Sequence, residues 1–476
     1  MANILDYLDW RGDIPFSVSP LNEIDNLIFS ELCFINFSGI VPSDMGAQGI
    51  PLSLACQMYC RMHEQEKVSM GLIVPADIPT LMKKMAETKR FGNVLLYGYV
   101  DRIDEDVQKQ FAALTIDMDG SQLYVAYRGT DDTIIGWKEN FNMSFMSAIP
   151  AQLDAVEYLN EVASHLPHQT ITVGGHSKGG NLAVYASIHC EQQYKLRINK
   201  VYSNDGPGYR REVLESDVYQ EMQERIVSII PQSSVVGRLL EHNDKYQVVQ
   251  SHASGLWQHD GFSWEVKGTC FVSAPQLTAD SERIERAVKQ WVAEMDESQQ
   301  EKLVDSIYSV LTATNAKTLT DLTQDRNWLW RLLTDSELSE SRKTLLTGLR
   351  QLTGEAGRVW IDSVLPVKLK KVVDSEDENL ETTPPKAVVS KPSSQDVSKV
   401  QAPKQAPAHK SIPKKAEADA MVARCERAID RSIRKASATI KRKGLSPKLL
   451  FKGTRKKQKP SDIKPSQYPF ERKNNK

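Results

Sequence analysis

The chain contains neither a long apolar run nor the leader pattern of an exported protein. No apolar stretch reaches the roughly 18 residues that a membrane-spanning helix needs. The opening residues, MANILDYLDWRGDIPFS, lack the basic-then-apolar order of a secretory signal peptide. These two absences argue against the membrane-embedded and exported classes, and we expect a cytoplasmic protein.

Cysteine is scarce, and its spacing does not suit a metal site. The six cysteines among 476 residues are scattered and include no Cys-x-x-Cys pair. Cys56 and Cys60 are helically spaced, which favours buried apolar thiols over a zinc site. We therefore expect reduced thiols, no metal and no cofactor.

The chain as a whole has almost no net charge, but only because the positive charge of one region cancels the negative charge of the rest. The net charge is −1, yet residues 385–476 hold 25 of the 60 Lys and Arg residues and only 7 of the 61 Asp and Glu residues. A basic tail of this kind can bind an anionic lipid surface or nucleic acid. Its few aromatics are scattered, which makes nucleic acid an unfavoured partner. Peripheral membrane contact is the hypothesis, and a solvated tail is the alternative.

The hydrophobic pattern predicts an α/β core between helical and disordered regions. Strand-like and helix-like segments alternate from Phe91 onward, which predicts parallel strands joined by crossovers. A Pro-, Ser- and Lys-rich stretch without apolar periodicity predicts a disordered linker. The expected order is a mostly helical part at 1–90, an α/β core at 91–275, a helical region at 276–370, a linker at 371–415, and a basic helix and tail at 416–476.

One short motif suggests a nucleophile. Gly175-His176-Ser177-Lys178-Gly179 has the form G-x-S-x-G, follows the apolar run TITV and opens the helix-like stretch KGGNLAVYASI. A serine on such a strand-to-helix turn is exposed at the sheet edge, and the helix N-terminus favours a developing oxyanion. An ordinary tight turn is the alternative interpretation. The context favours Ser177 as a nucleophile.

A second motif suggests the other half of an oxyanion hole. In YVAYRGTDDTIIGWKENF, a strand ends at Arg128-Gly129-Thr130 and a loop follows. A backbone N–H from such a junction is what a tetrahedral intermediate requires beside the serine. A plain β-turn is the alternative.

Together these motifs resemble the class 3 lipases. AYRGT, GWKENF and GGHSKGGNLAVYA carry the resemblance, and the chain is also similar to a bacterial family of lipase-like α/β hydrolases classed as a domain of unknown function. That likeness covers roughly residues 1–270, including NDGPG and QHDGFSW. It implies that the backbone N–H groups of Thr130 and Lys178 hold the oxyanion. The Lys178 side chain is unusual here, and we expect it to be solvated.

A serine nucleophile needs a histidine base, and two histidines lie at the right edge of the sheet. His252 follows the strand KYQVVQS directly, and His259 lies in the same loop between aromatic residues. The chain order Ser, acid, His of α/β hydrolases admits either. The family resemblance favours His259, because QHD and SW belong to the stretch that carries it.

The acid departs from the class 3 pattern. Where those lipases carry their acid, this sequence has PQSSVVGRLL, and Ser234 occupies the position. One strand earlier, KVYSNDGPG places Asp205 at a strand end, from which a carboxylate can also reach the histidine. A turn-forming Asp before Gly is the alternative role.

The sequence therefore predicts a serine ester hydrolase that acts through an acyl-enzyme. Its triad is Ser177, Asp205 and His259, and its substrate is a small-molecule or lipid ester. The rival hypothesis is a non-catalytic α/β-hydrolase scaffold that recruits a partner or a membrane through its basic tail, and the missing carboxylate at Ser234 favours it.

Overall fold

The structure is a computed structural model that describes residues 1–64, 70–71, 73–243, 245–313, 316–324 and 344. The predicted linker at 371–415 and the predicted basic helix and tail at 416–476 lie outside these residues. The predicted helical region at 276–370 is described up to residue 324 and at residue 344.

Among its described residues, the N-terminal part contains four helices and one short strand. Side-chain caps explain where two of its helices begin: Asn3 and Asn22 each accept hydrogen bonds from backbone N–H groups of the first turn, and Asp6 and Asp25 return a bond to the cap. The four helices are α1 (Ile4–Arg11), α2 (Glu23–Leu32), α3 (Leu52–Met62) and α4 (Ile78–Glu87).

An eight-stranded sheet forms the centre of the molecule, which confirms the mixed α/β class. Its strands follow in chain order, antiparallel from the first to the fourth and parallel from the fourth to the eighth. They are β1 (Ile50–Pro51), β2 (Leu95–Asp104), β3 (Lys109–Asp117), β4 (Gln122–Tyr127), β5 (Thr170–His176), β6 (Ile198–Asn204), β7 (Ile226–Pro231) and β8 (Tyr246–Val249).

The antiparallel half differs from the crossover pattern that the alternation predicted. Only residues 105–108 join β2 to β3, and only 118–121 join β3 to β4. Connections this short permit a hairpin but not a parallel crossover. A second difference concerns FSWEVKG, whose aromatic and β-branched residues favour a strand. Its first residues belong to a 3₁₀ turn over Gly261–Ser263, and only Val266–Lys267 form a strand, β9, which pairs with β10 (Cys270–Phe271).

The parallel half brings the candidate functional loops to one edge. Its strands are parallel, so each strand from β4 to β8 ends at the same side of the sheet, and helices lie in the connections from β4 to β7 and after the sheet. These helices are α5 (Ile134–Asn142), α6 (Pro150–His165), α7 (Lys178–His189), α8 (Gln192–Lys195), α9 (Arg211–Leu214) and α10 (Asp217–Met222); α11 (Ala279–Ala293), α12 (Glu297–Thr312) and α13 (Leu319–Gln324) follow the sheet. Within the described ranges, none of the helices has the length and apolarity to cross a bilayer.

The core lies on both faces of the sheet. Along β4, Tyr124 and Ala126 belong to one buried cluster, which includes apolar residues of α1 to α4. Leu123, Val125 and Tyr127 belong to a second cluster on the opposite face, with residues of α6 and α7. Because side chains alternate along a strand, the two clusters bury both faces of β4 and place it in the interior of the sheet. A shift of one residue would exchange the faces, so this burial also fixes the register of the neighbouring strands.

A buried ion pair fixes the N-terminal helices to the core. Both Arg90 and Asp25 have fully buried side chains, and Arg90 donates to the two carboxylate oxygens of Asp25 at 2.8 and 2.5 Å. Asp25 also accepts from Tyr7 at 2.9 Å, and Arg90 lies 3.9 Å from the ring centroid of Phe16. The charges are thus compensated, and loss of either partner would leave the other charged without its counter-ion.

We expect Asp25→Asn to destabilise the protein by about 3–5 kcal/mol, because it leaves the Arg90 charge uncompensated in the interior. Urea unfolding followed by tryptophan fluorescence measures this. The double variant Asp25→Asn/Arg90→Leu, which removes both charges, should recover part of the loss. An unfolding midpoint of Asp25→Asn equal to that of the wild type would contradict this account.

Candidate active site

Ser177 lies on a strained turn between β5 and α7. Its backbone has φ 58° and ψ −131°, a conformation that costs energy for any residue other than glycine and persists mainly at functional sites. The flanking glycines are sterically required: a Cβ on Gly175 would lie 2.3 Å from the carbonyl carbon of Gly179, and one on Gly179 would lie 2.1 Å from the oxygen of Tyr127. The geometry is that of the strand–nucleophile–helix turn anticipated from the motif.

Asp205 follows β6 beside this turn and is also strained. Its side chain is fully buried, and its φ is 47°. The neighbouring Gly206 is so close to the serine turn that a Cβ there would lie 2.9 Å from the carbonyl oxygen of Ser177. The turn at the end of β6 therefore packs against the backbone of the serine turn.

The carboxylate of Asp205 binds His259. The Nδ1 atom of His259 lies 2.6 Å from Oδ2 of Asp205, in the distance range of a charge-assisted hydrogen bond. This contact assigns the proton to Nδ1 and leaves Nε2 as the basic nitrogen of the ring. The alternative base, His252, is exposed, while the His259 side chain is 26% exposed. The structure thus brings Asp205 together with His259 and not with His252.

Ser234, at the position where the resemblance predicts an acid, contacts the carboxylate of Asp205. Its hydroxyl donates to Oδ1 of Asp205 at 2.5 Å, and the backbone N–H of Gly237 donates to the same oxygen at 3.1 Å. Each carboxylate oxygen of Asp205 therefore has a defined partner. From the sequence, Ser234 is interpreted as the position of a missing acid. In the structure its side chain instead donates a hydrogen bond to the carboxylate of Asp205, which follows the preceding strand.

His176, the residue before Ser177, holds the loop that carries His259. The two imidazole rings lie 4.6 Å apart between centroids, and Nε2 of His176 is 2.7 Å from the carbonyl oxygen of His259. A nitrogen that donates to a carbonyl must carry the proton, which leaves Nδ1 of a neutral His176 as an acceptor. His176 thus fixes the backbone of His259 from the side of the serine turn.

A buried carboxyl group faces the second nitrogen of His176. Oε1 of Glu31 lies 3.4 Å from Nδ1 of His176, and both side chains are within 4% of full burial. Burial raises the pKa of Glu31 well above its usual value, with repulsion from Asp260 adding to the effect, and burial lowers the pKa of His176. Burial therefore favours the protonated form of Glu31 and the neutral form of His176, in which a carboxyl O–H would face the bare imidazole nitrogen.

The Arg-Gly-Thr junction lies against the serine turn. A Cβ on Gly129 would be 2.7 Å from the oxygen of His176 and 3.1 Å from the Cβ of Ser177, so only glycine allows this approach. Arg128 anchors the junction through two hydrogen bonds to Asp101, at 2.9 and 2.8 Å, and one to Asp131 at 3.0 Å. Thr130 follows directly, which brings its backbone N–H and that of Lys178 to the same end of the sheet.

The expectation that the Lys178 side chain is solvated is wrong. The side chain is fully buried, and its ammonium lies 2.8 Å from Oε2 of Glu139 on α5 and 2.6 and 2.7 Å from two oxygens of Gln110 on β3. The lysine side chain is directed into the core, where Glu139 and Gln110 accept hydrogen bonds from its ammonium group. Glu139 stands in the sequence as part of GWKENF, but nothing in that string shows that it meets Lys178.

Comparison with known proteins gave one family match and several similar solved structures. A family model described as Mbeg1-like matches residues 85–309, slightly less than half of the chain. The comparison with curated proteins gave no match. Among solved structures, the native propeptide complex of Rhizomucor miehei lipase is similar at 14% identity, with 42% of this chain covered and a TM-score of 0.27; the chain spans 66% of that lipase.

Two further lipase structures are similar to the same extent. M37 lipase is 14% identical, with 44% of this chain and 68% of its own covered and a TM-score of 0.27. The lipase of Rhizopus microsporus var. chinensis is 14% identical, with 42% and 70% covered and a TM-score of 0.26. The roles of individual residues rest on the site geometry described above.

The support of Asp205 is testable by two substitutions. Ser234→Ala removes one charge-assisted hydrogen bond, worth about 1.5–3 kcal/mol, and should slow reaction of Ser177 with a fluorophosphonate by roughly 10- to 100-fold. Gly237→Ala should slow it further, since its Cβ would lie 2.2 Å from Oδ1 of Asp205. Ser233→Ala, one residue away, is the matched control. Equal labelling rates in Ser234→Ala and wild type would show that the hydroxyl does not support Asp205.

The protonation of Glu31 predicts a stability that depends on pH. The pKa of Glu31 is raised in the folded state relative to its ordinary value of 4.5 in the unfolded chain. Above that pH the unfolded chain has released the proton, and folding takes it up again. The stability of the fold therefore falls as the pH rises. Glu31→Gln removes this titration and keeps a donor for His176. We expect the variant to gain in melting temperature relative to wild type, increasingly from pH 5 to pH 8. A difference that is constant or shrinks over this range would show that the carboxyl is ionised.

Proposed function

We propose that this protein is a serine hydrolase of the α/β-hydrolase fold that cleaves carboxylic esters. The observation that carries the proposal is the 2.6 Å contact between His259 and Asp205 beside a serine held at φ 58°. A histidine whose Nδ1 is fixed by a buried carboxylate has a basic Nε2, and a serine on such a turn has a hydroxyl for it to activate. The Mbeg1-like match and the similarity to lipases agree with this assignment.

The proposed reaction has two acyl-transfer steps. Oγ of Ser177 attacks the ester carbonyl while Nε2 of His259 takes its proton, and a C–O bond forms to give a tetrahedral oxyanion. Collapse of this intermediate breaks the bond to the leaving alcohol, which receives the proton from His259. Water then attacks the acyl-enzyme with the same histidine as base, and the carboxylic acid leaves.

Two backbone N–H groups are proposed to stabilise the oxyanion. Lys178 directly follows Ser177, and Thr130 follows Gly129, on which a Cβ would lie 3.1 Å from the Cβ of Ser177. Lys178 also begins α7, whose positive N-terminal end favours negative charge on the substrate oxygen. The loss of one such donor commonly costs about 10²–10³ in rate.

Buried neutral groups around His259 suit its proposed role as a base. A cationic His176, with its ring centroid 4.6 Å from that of His259, would oppose the positive charge that the base acquires in the transition state. The lowered pKa of His176 keeps that ring neutral. Asp205 is then the carboxylate that His259 contacts directly as it becomes positively charged.

Labelling with a fluorophosphonate probe tests the proposal. Wild-type protein should be labelled at one serine, and Ser177→Ala should abolish labelling. His259→Ala and Asp205→Asn should slow it by about 10³-fold or more, because the serine loses its base or the base loses its orientation. His252→Ala is the matched control, a histidine in the same loop, and should label at the wild-type rate.

The outcomes separate the enzyme from its rival, a non-catalytic scaffold. Failure of folded wild-type protein to label or to hydrolyse p-nitrophenyl esters would favour the scaffold. Loss of labelling in Ser177→Ala and His252→Ala, with His259→Ala unaffected, would keep the nucleophile and transfer the base to His252.

A further inference from the structure

Helix α5 begins three residues after the junction that carries Thr130. Thr133 caps it by accepting from the N–H of Gly136 at 3.2 Å, and Asp131 in turn accepts from Thr133. The helix therefore continues directly from one half of the proposed oxyanion hole. Two consecutive residues near its other end, Glu139 and Asn140, contact the side chains of the two proposed oxyanion donors.

Glu139 binds the residue after the nucleophile. Its Oε2 accepts from the Lys178 ammonium at 2.8 Å, and its Oε1 accepts from the backbone N–H of Ala151 at 2.9 Å. The Lys178 ammonium makes two further hydrogen bonds to Gln110 on β3, so all three of its donors have a partner. Because neither side chain is accessible to water, the pair cannot open without the cost of a buried unpaired charge.

Asn140 binds the other donor residue. Its side-chain amide donates to the hydroxyl oxygen of Thr130 at 2.6 Å, and Thr130 is buried. Its neighbour Glu139 thus holds Lys178, while Asn140 itself holds Thr130. One short segment of α5 is connected to both sides of the space in which the oxyanion would form.

From this arrangement we infer that Glu139 and Asn140 are positioning residues that hold the two oxyanion donors at a fixed separation, with Lys178 and Thr130 as their attachment points. The inference rests on the proposed esterase function. Donors to an oxyanion act over distances of about 2.7–3.1 Å, and a displacement of about 0.5 Å is enough to weaken them. A lysine in this position serves through its side chain as a tether and through its backbone as a donor.

The helix that carries this pair is itself held from outside the sheet. Lys138 contacts α12 through an ion pair with Asp305 at 2.8 Å and lies 4.4 Å from the ring centroid of Tyr308. At the start of α5, the N–H of Ile134 donates to the oxygen of Lys317 at 2.9 Å. The side chains of Lys138 and Glu139 thus leave α5 towards different partners, which provides a control on the same helix.

The experiment compares two buried lysines that both pair with a carboxylate. Lys178→Met/Glu139→Gln removes the charges of the inner pair together, so no uncompensated charge remains, and Lys138→Met breaks the outer pair. Asn140→Leu, which removes the donor to Thr130 and leaves both charges in place, is the second test variant should the double variant fold poorly. Hydrolysis of p-nitrophenyl butyrate and thermal melting are measured for each.

We expect the double variant to lose about 10- to 100-fold in kcat with little change in KM, since oxyanion donors act on the transition state. Asn140→Leu should lose roughly tenfold in kcat. Lys138→Met should lower the melting temperature and leave kcat within twofold of wild type. A double variant and an Asn140→Leu that both fold and keep the wild-type kcat would overturn the inference, because the contacts would then serve stability alone.

A second measurement separates this inference from the proposed function. Backbone amide exchange in the segment 128–133 should speed up in Asn140→Leu and in the double variant, and should not change in Lys138→Met, whether or not the protein hydrolyses esters. Unchanged exchange in this segment in all three variants would overturn the positioning role even for an active enzyme. Faster exchange in these two variants, in a protein whose wild type neither labels nor hydrolyses esters, would overturn the esterase assignment and keep the positioning contacts.

Discussion

The hydrogen bond between His259 and Asp205 is the contact on which the arrangement of the site depends. It joins a loop after the last strand of the parallel half to the turn after β6, two segments 54 residues apart in the chain. Several neighbouring contacts orient one of its two partners. Ser234 and Gly237 fix the second oxygen of Asp205, and His176 fixes the backbone of His259.

Close backbone approach is the second constraint, and it explains the glycines. The serine turn, the junction before Thr130 and the turn after Asp205 occupy so little space that a Cβ at Gly129, Gly179 or Gly206 would lie within 3 Å of a backbone or side-chain atom. Strain at Ser177 and Asp205 persists because the surrounding sheet and helices hold both turns in place. The stability of the two-faced core thus supports a locally unfavourable conformation at the edge of the sheet.

The sequence could predict those parts of the site that depend on local pattern. The turn around Ser177 follows from glycine spacing at a strand–helix junction, and Asp205 follows from its place at the end of an apolar strand. The partners of Lys178 could not be predicted, because Glu139 and Gln110 reach it only through tertiary packing. The role of Ser234 was equally hidden, since a hydroxyl carries no sign of the carboxylate it contacts. In the sequence, the antiparallel half of the sheet is indicated only by the short connections from β2 to β3 and from β3 to β4.

In the proposed reaction, Ser177 becomes acylated during turnover. The most direct test is an acid quench in the first moments of p-nitrophenyl acetate hydrolysis, followed by peptide mass spectrometry. If Ser177 is acylated, we expect a burst of about one p-nitrophenol per protein molecule and an acetyl group on the peptide that contains Ser177. Turnover without a burst and without an acetyl group on any serine peptide, or an acetyl group on another residue alone, would contradict it.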